Sequence, residues 1–209
     1  MTGSNSTLLA ARACIAACLG WMTPATAQQV ARVEVAPMVG YQSSLKFDDA
    51  AGNARYKLDS TNNVGLVLDF RAAPNSQVEL LYSRAKSALA PDDGGPKLAD
   101  VKVEYYHLGG ILVYGNDRVQ PFFGATVGAT RFAPDAAGLD SDTRFSFGLV
   151  GGAKLFLTKH IGLRLEARAF GTEVNSNSAA FCTNGSCRIF YDGSFMWQYA
   201  INAGLIAAF

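Results

Sequence analysis

The sequence predicts an all-β fold: an eight-stranded antiparallel up-and-down transmembrane β-barrel with a polar, packed lumen. Three observations carry that expectation. The stretch Ser194 to Phe209 alternates almost without error, with Phe195, Trp197, Tyr199, Ile201, Ala203, Leu205, Ala207 and Phe209 on one parity. Strand side chains point alternately to opposite faces, so this parity forms a long apolar stripe of the kind that faces lipid. Seven further segments repeat the period of two, joined by connections that alternate between long and short. Charges accumulate on the parity opposite the stripes, where the inside of such a barrel is polar.

The first segment runs from about Val30 to Ser44, with Val33, Val35, Pro37, Val39 and Tyr41 on one face. Asn63 to Arg71 presents Val64, Leu66, Leu68 and Phe70, and Gln77 to Lys86 presents Val78, Leu80 and Tyr82. Asp100 to Tyr114 places Val101, Val103, Tyr105, Ile111 and Val113 on its apolar face, with a bulge expected at Gly109-Gly110. Val119 to Phe132 carries Val119, Pro121, Phe123, Ala125, Val127 and Ala129. Thr143 to Leu157 carries Phe145, Phe147, Leu149, Leu155 and Leu157, and Ile161 to Glu173 carries Ile161, Leu163, Leu165, Ala167 and Ala169. The closing strand is the eighth.

Long connections span Leu45 to Asn62, Ser87 to Ala99, Ala133 to Asp142 and Thr172 to Gly193. The short ones are Ala72 to Ser76, Gly115 to Arg118 and Thr158 to His160. Strict alternation puts every short turn on one rim, expected to be periplasmic, and every long polar loop on the other.

Of the 209 residues, 49% are hydrophobic and 17% charged, yet no run of about 20 apolar residues occurs, so a transmembrane helix is not expected. Net charge is +1 without a basic cluster, which removes electrostatic support for nucleic-acid binding. Residues 1–27 read as a signal peptide: Arg12, an apolar stretch from Ala13 to Met22, then Ala25-Thr26-Ala27 as a small-x-small cleavage site. Residues 28–209 form the barrel domain. Ile15-Ala16-Ala17-Cys18 also resembles a lipobox, which would lipidate Cys18 rather than remove it. Export brings Cys182 and Cys187 into an oxidising compartment on either side of a Thr-Asn-Gly-Ser turn, and a disulfide is expected there. A metal site lacks a third ligand nearby.

Glu34, Asp69, Glu79, Lys102, Glu104, Lys154, Arg164, Glu166 and Arg168 fall opposite the apolar stripes, with Arg144 at a strand end. Eight strands enclose a space just wide enough for side chains, so these five acids and five bases are expected to form a paired network that closes the lumen. Lys102 with Glu104, and Arg164-Glu166-Arg168, are its leading candidates. A soluble barrel with the charges outside is the rival arrangement, disfavoured because the aromatic stripes would overfill so narrow an interior.

Catalytic chemistry is thin. His107 lies mid-strand without a neighbouring Ser, and His160 sits in a short turn, so no catalytic residue is assigned. The three Asp between Asp135 and Asp142 lack a calcium-loop pattern, and no glycine-rich phosphate cradle precedes a helix. No metal or cofactor is expected.

Glu79-Leu-Leu-Tyr-Ser-Arg84, His107-Leu-Gly-Gly110, Gln120-Pro-Phe-Phe-Gly-Ala125 and Gly162-Leu-Arg-Leu-Glu-Ala-Arg168 make the chain resemble the small bacterial outer-membrane β-barrels of the OmpA/OmpX-like superfamily, over Val30 to Phe209. The ending, Asn202-x-Gly204-x-x-Ala207-x-Phe209, resembles their assembly signal, with Ala207 replacing a bulky residue. The resemblance implies the outer membrane of a Gram-negative bacterium, contact with its lipid and lipopolysaccharide, and delivery by periplasmic chaperones to the barrel-insertion machinery. A monomer is expected, without a periplasmic anchoring module. The expected role is non-enzymatic, structural or surface-interacting, with a narrow or gated solute channel and a lipid-modifying enzyme as alternatives.

Overall fold

The computed structural model describes residues 33–49, 55–135, 141–173, 180–183, 186–190 and 195–209. In chain order the strands are β1 (Val33–Gln42), β2 (Leu45–Asp49), β3 (Arg55–Leu58), β4 (Thr61–Ala73), β5 (Ser76–Pro91) and β6 (Ala99–Val113). They continue as β7 (Val119–Pro134), β8 (Asp142–Phe156), β9 (Ile161–Glu173), β10 (Ala180–Thr183), β11 (Ser186–Phe190) and β12 (Phe195–Ala208). Eight of them close a ring in the order β5-β4-β1-β12-β9-β8-β7-β6, the last pairing back to β5, every pair antiparallel. The expected eight-stranded barrel is therefore present.

The seam joins the first strand to the last. Val33 and Phe209 exchange backbone hydrogen bonds of 3.2 and 2.9 Å, and the His160 carbonyl accepts the Ala208 N–H at 2.8 Å. Closure leaves no unpaired edge in the ring, which a lipid environment requires of any spanning sheet.

The short turns are built from local chemistry. Asn116 Oδ1 accepts the N–H groups of Arg118 and Val119, both at 2.9 Å. Gly115 beside it has φ +96°, where a Cβ would lie 2.2 Å from the Val119 carbonyl oxygen. Thr158 Oγ1 accepts the N–H groups of His160 and Ile161 at 3.2 and 3.0 Å.

On the opposite rim the wall is prolonged. β5 and β7 have 16 residues each, against the roughly 9–11 that cross a bilayer. The β2–β3 hairpin pairs with the end of β5, from Tyr56↔Pro91 to Leu58↔Leu89, and β11 of the β10–β11 hairpin pairs with β2. Segments of two stretches expected to be loops are thus strands that extend the same sheet.

Seven ring strands face as their apolar stripes predict, with Val39, Leu66, Leu80, Val127, Leu149, Leu165 and Ile201 outward. β6 is the exception. Val101, Val103, Tyr105 and Ile111, all expected on the lipid face, point inward, each at most 1% exposed, and Val113 packs against Ile111, Phe122 and Val150, while Tyr106, Leu108 and Leu112 point outward. The period of two is unbroken; the polarity of the two faces changes with height. Tyr106 and Tyr114 stand eight residues apart on the outer face, about 27 Å along the strand or roughly 21 Å along a barrel axis at ~40° tilt, close to the ~25 Å apolar band of such barrels. Above Tyr106 the outside is no longer hydrocarbon, so charges turn outward and apolar side chains fill the lumen. The expected bulge is also absent: Glu79↔Gly109 and Val78↔Gly110 pair in continuous register. Gly109 instead admits a close approach, since a Cβ there would sit 2.2 Å from the Ala125 carbonyl oxygen. The irregularity lies between Arg71 and Ala73.

Candidate functional site

The lumen near the short-turn rim is a charge cluster built by register. Glu34, Asp69 and Glu79 are direct neighbours across β1, β4 and β5, so three carboxylates form one row. Lys154 and Arg164 are direct neighbours on β8 and β9. Arg164, Glu166 and Arg168 occupy successive inward positions of β9, as a period of two requires.

Lys154 Nζ donates to Glu34 at 2.7 Å, Asp69 at 2.6 Å and the Gln77 side-chain oxygen at 2.5 Å. Arg164 donates to Asp69 at 2.6 Å, Glu79 at 2.5 Å and Glu166 at 2.7 Å, and its guanidinium lies 4.4 Å from the Phe122 ring centroid. Arg168 donates to Glu79 and twice to Glu166, with Nη1 and Nη2 bonds of 2.9 Å. Gln77 donates to Glu34 at 3.0 Å and Asn202 to Glu166 at 3.1 Å. Lys154 and Arg164 are 0% exposed. Charges so deeply buried persist only when paired, and their bonds have the short lengths of charge-assisted contacts.

Three expected members lie elsewhere. Lys102 and Glu104 sit on the outer face of β6, because that part of the strand stands above the apolar band. Lys102 approaches Asp135 at 3.6 Å, while Glu104 accepts from Tyr82 at 3.0 Å and faces Arg131 at 3.9 Å. Arg144 is on the inward parity of β8 but near the long-loop end, where it pairs with Asp142 at 2.7 Å. Gln77 and Asn202 are members that charge patterning alone does not reveal; both lie on inward parities, which was the available signal.

Above the cluster is a neutral polar tier. Tyr105 donates to Gln198 at 2.5 Å and stacks on Phe170 with ring centroids 3.9 Å apart. Thr130 and Thr172 share a hydrogen bond of 2.9 Å. His107 reaches Ser146 at 2.8 Å through Nε2 and Thr126 at 2.9 Å through Nδ1. The Ser–His pair that sequence spacing hid is made by strands β6 and β8 across β7. Its chemistry is weak: a neutral hydroxyl replaces the carboxylate that would stabilise an imidazolium, and Ser146 is 0% and His107 3% exposed. His160 Nδ1 lies 3.0 Å from the Ala208 carbonyl oxygen and ties a short turn to the seam.

Higher still, Leu58, Leu89, Val101, Val103, Phe132 and Met196 belong to the buried apolar cluster. Among the described residues, the buried amides Gln42 and Asn63 on the β1–β4 wall have no side-chain hydrogen-bond partner, nor does Asp69 Oδ1. Among the described residues no cluster of His, Cys, Asp and Glu is arranged to hold a metal ion. Backbone register places Cys182 opposite Cys187. The expected cleavage site at Ala25 and Ala27, and Cys18, lie outside the described residues. Asn202 and Gly204 face the lumen from β12, and Phe209 is 74% exposed at its end.

Among curated protein sequences none matches this chain. Its structure is similar to that of the outer membrane protein OprG from Pseudomonas aeruginosa, with 18% identity, a TM-score of 0.60 and coverage of 86% of this chain and 96% of that one. It is also similar to Neisserial surface protein A, with 16% identity, a TM-score of 0.56 and coverage of 84% and 96%. Outer membrane protein AlkL in lipid bilayers matches at 13% identity and a TM-score of 0.50, covering 90% and 95%. At such identities the likeness is one of fold. The family model of the outer membrane protein beta-barrel domain matches residues 13–209, and the chain belongs to that family.

Proposed function

We propose that this protein is a sealed, non-enzymatic outer-membrane barrel that acts through its extracellular surface. The observation that carries the reading is the fully buried pair Lys154 and Arg164, bonded across the lumen to Glu34, Asp69 and Glu79. A network with every cation bonded to at least two carboxylates resists the passage of ions, because opening it strands charge in a low-dielectric space. The prolonged strands and the β2–β3 and β10–β11 hairpins supply the surface, on the rim opposite both termini of the barrel.

The same reading makes residues 1–27 the export signal, with cleavage after Ala27, and Asn202, Gly204 and Phe209 the features of β12 engaged by the insertion machinery. It also assigns the Cys182–Cys187 disulfide. Directly opposed Cα atoms in an antiparallel pair stand about 4.5–5.5 Å apart, inside the ~4.4–6.8 Å range of disulfides.

Planar-bilayer recording of the refolded protein tests the seal. The expected result is no stable conductance at neutral pH. Steady unitary currents that change when Arg164 is replaced would instead establish the second reading, a narrow channel. What favours that second reading is the polar β1–β4 wall, where Gln42 and Asn63 have no side-chain hydrogen-bond partner among the described residues.

A further inference from the structure

On the outer wall of β5, β6 and β7, register stacks the side chains in rows. Leu80, Leu108 and Val127 form one row, and Tyr82, Tyr106 and Ala129 the next. Above them come Arg84, Glu104 and Arg131, then Lys86, Lys102 and Ala133. Each row rises about 7 Å along the strand, and three strands span about 10 Å. Hydrocarbon-facing residues therefore give way to an aromatic pair and then, at once, to charge.

With Lys97 beside them the sector holds five cations and three carboxylates, and Lys86, Lys97, Lys102 and Arg131 pair with Asp100, Glu104 and Asp135. Lys97 holds Asp100 closely at 2.5 Å, but the other pairs are long: Lys86 stands 3.4 Å from Asp100, Lys86 and Lys102 share the Asp135 carboxylate at 3.7 and 3.6 Å, and Arg131 stands 3.9 Å from Glu104. The lumen pairs, by contrast, close to 2.9 Å or less. Arg84 is exposed and makes no ion pair among the described residues. This basic patch belongs to one sector. At the same end of the wall, β8 and β12 present Phe145, Phe147, Phe195, Trp197 and Tyr199 outward, β9 carries Glu173 opposite Phe195, and β1 and β4 present Tyr41, Asn62 and Val64.

We infer that the sector Arg84, Lys86, Lys102 and Arg131 binds the phosphorylated headgroup of an outer-leaflet glycolipid, whose acyl chains lie along Leu80, Leu108 and Val127. The inference rests on the outer-membrane placement, and it commits to a lipid because the cations continue directly from a lipid-facing apolar and Tyr surface. Guanidinium groups clamp phosphate oxygens bidentately while ammonium groups add point charge, and each cation near an anionic surface contributes about a fivefold factor in affinity, equivalent to ~1 kcal/mol.

The test uses the full barrel in phosphatidylcholine nanodiscs containing bis-phosphorylated lipid A or the same lipid after phosphatase treatment, with bound lipid counted by native mass spectrometry. Selective retention of the phosphorylated lipid is expected. Arg84→Gln should weaken it about fivefold, and Arg84→Gln/Lys86→Gln/Lys102→Gln/Arg131→Gln should abolish the selectivity, with heat-modifiable gel mobility unchanged. Equal retention of both lipids, undiminished selectivity in the fourfold variant, or full competition by inorganic phosphate overturns the inference. None of these residues lies in the lumen, so the outcome is independent of the conductance test of the sealed barrel.

Discussion

Replacing Arg164 with Met should be among the most damaging single substitutions in the barrel. The guanidinium donates to Asp69, Glu79 and Glu166 and covers the Phe122 ring, with no exposure to solvent. In the native cluster four carboxylates (Glu34, Asp69, Glu79, Glu166) face three cations (Lys154, Arg164, Arg168). Arg164→Met preserves most of the volume and leaves four acids against two bases. Removing one partner of a buried pair costs about 3–5 kcal/mol, because the stranded charge remains desolvated. The assay is reversible urea unfolding from lipid vesicles, followed by Trp fluorescence and heat-modifiable mobility. Adding Glu79→Gln relieves part of the imbalance, so the double variant should lose clearly less than the sum of the two singles. Arg131→Gln, removing a half-exposed 3.9 Å contact, should cost under ~1 kcal/mol. A loss below ~1 kcal/mol for Arg164→Met, or full additivity with Glu79→Gln, would refute the network as a source of stability.

Two further outcomes follow from facing and register. Leu108→Lys should destabilise the barrel in vesicles by about 1–3 kcal/mol, as a lipid-facing charge between midplane and interface does. Lys102→Leu on the same face should stay within about 0.5 kcal/mol, and the reverse ranking would mean that β6 faces the other way. Cys182 and Cys187 in intact cells should resist a membrane-impermeant maleimide until a reductant is added; labelling without reductant would exclude the disulfide.

Facing is legible wherever the outward parity stays apolar over most of the strand. On β4, β7, β8, β9 and β12 the outward parity is almost uniformly apolar, while the inward parity mixes Asp69, Lys154, Arg164, Glu166 and small residues with single large apolar side chains such as Phe122, Val150, Phe170 and Met196, so the charges decide the facing. The β6 pattern misleads at both ends: in the upper half Val101, Val103 and Tyr105 are apolar and inside while Lys102 and Glu104 are charged and outside, and in the lower half Ile111 inside and Leu112 outside are both apolar, so polarity marks neither face. Polarity marks the lumen only at heights where the exterior is hydrocarbon, and no single-strand pattern states its own height. The β2–β3 and β10–β11 hairpins were missed for a related reason. Their segments are only four or five residues long, too short to show a period of two, and what makes them strands is pairing to β5 and to each other.

The sequence by itself determined the number of spanning strands, their order, the alternation of short and long connections, and the charges available to the interior. Those are properties of period and spacing, which a strand imposes on its own residues. Which charges meet was decided only by the tertiary structure. Glu34 lies 120 residues from Lys154, and Asp69 lies 95 from Arg164, yet they touch because closing β1 against β12 curls the sheet until opposite walls stand one side chain apart. The Ser146–His107 contact, the outward turn of Lys102 and the basic sector of β5–β7 have the same origin. They depend on register between strands and on height in the membrane, and neither quantity is written along a single strand.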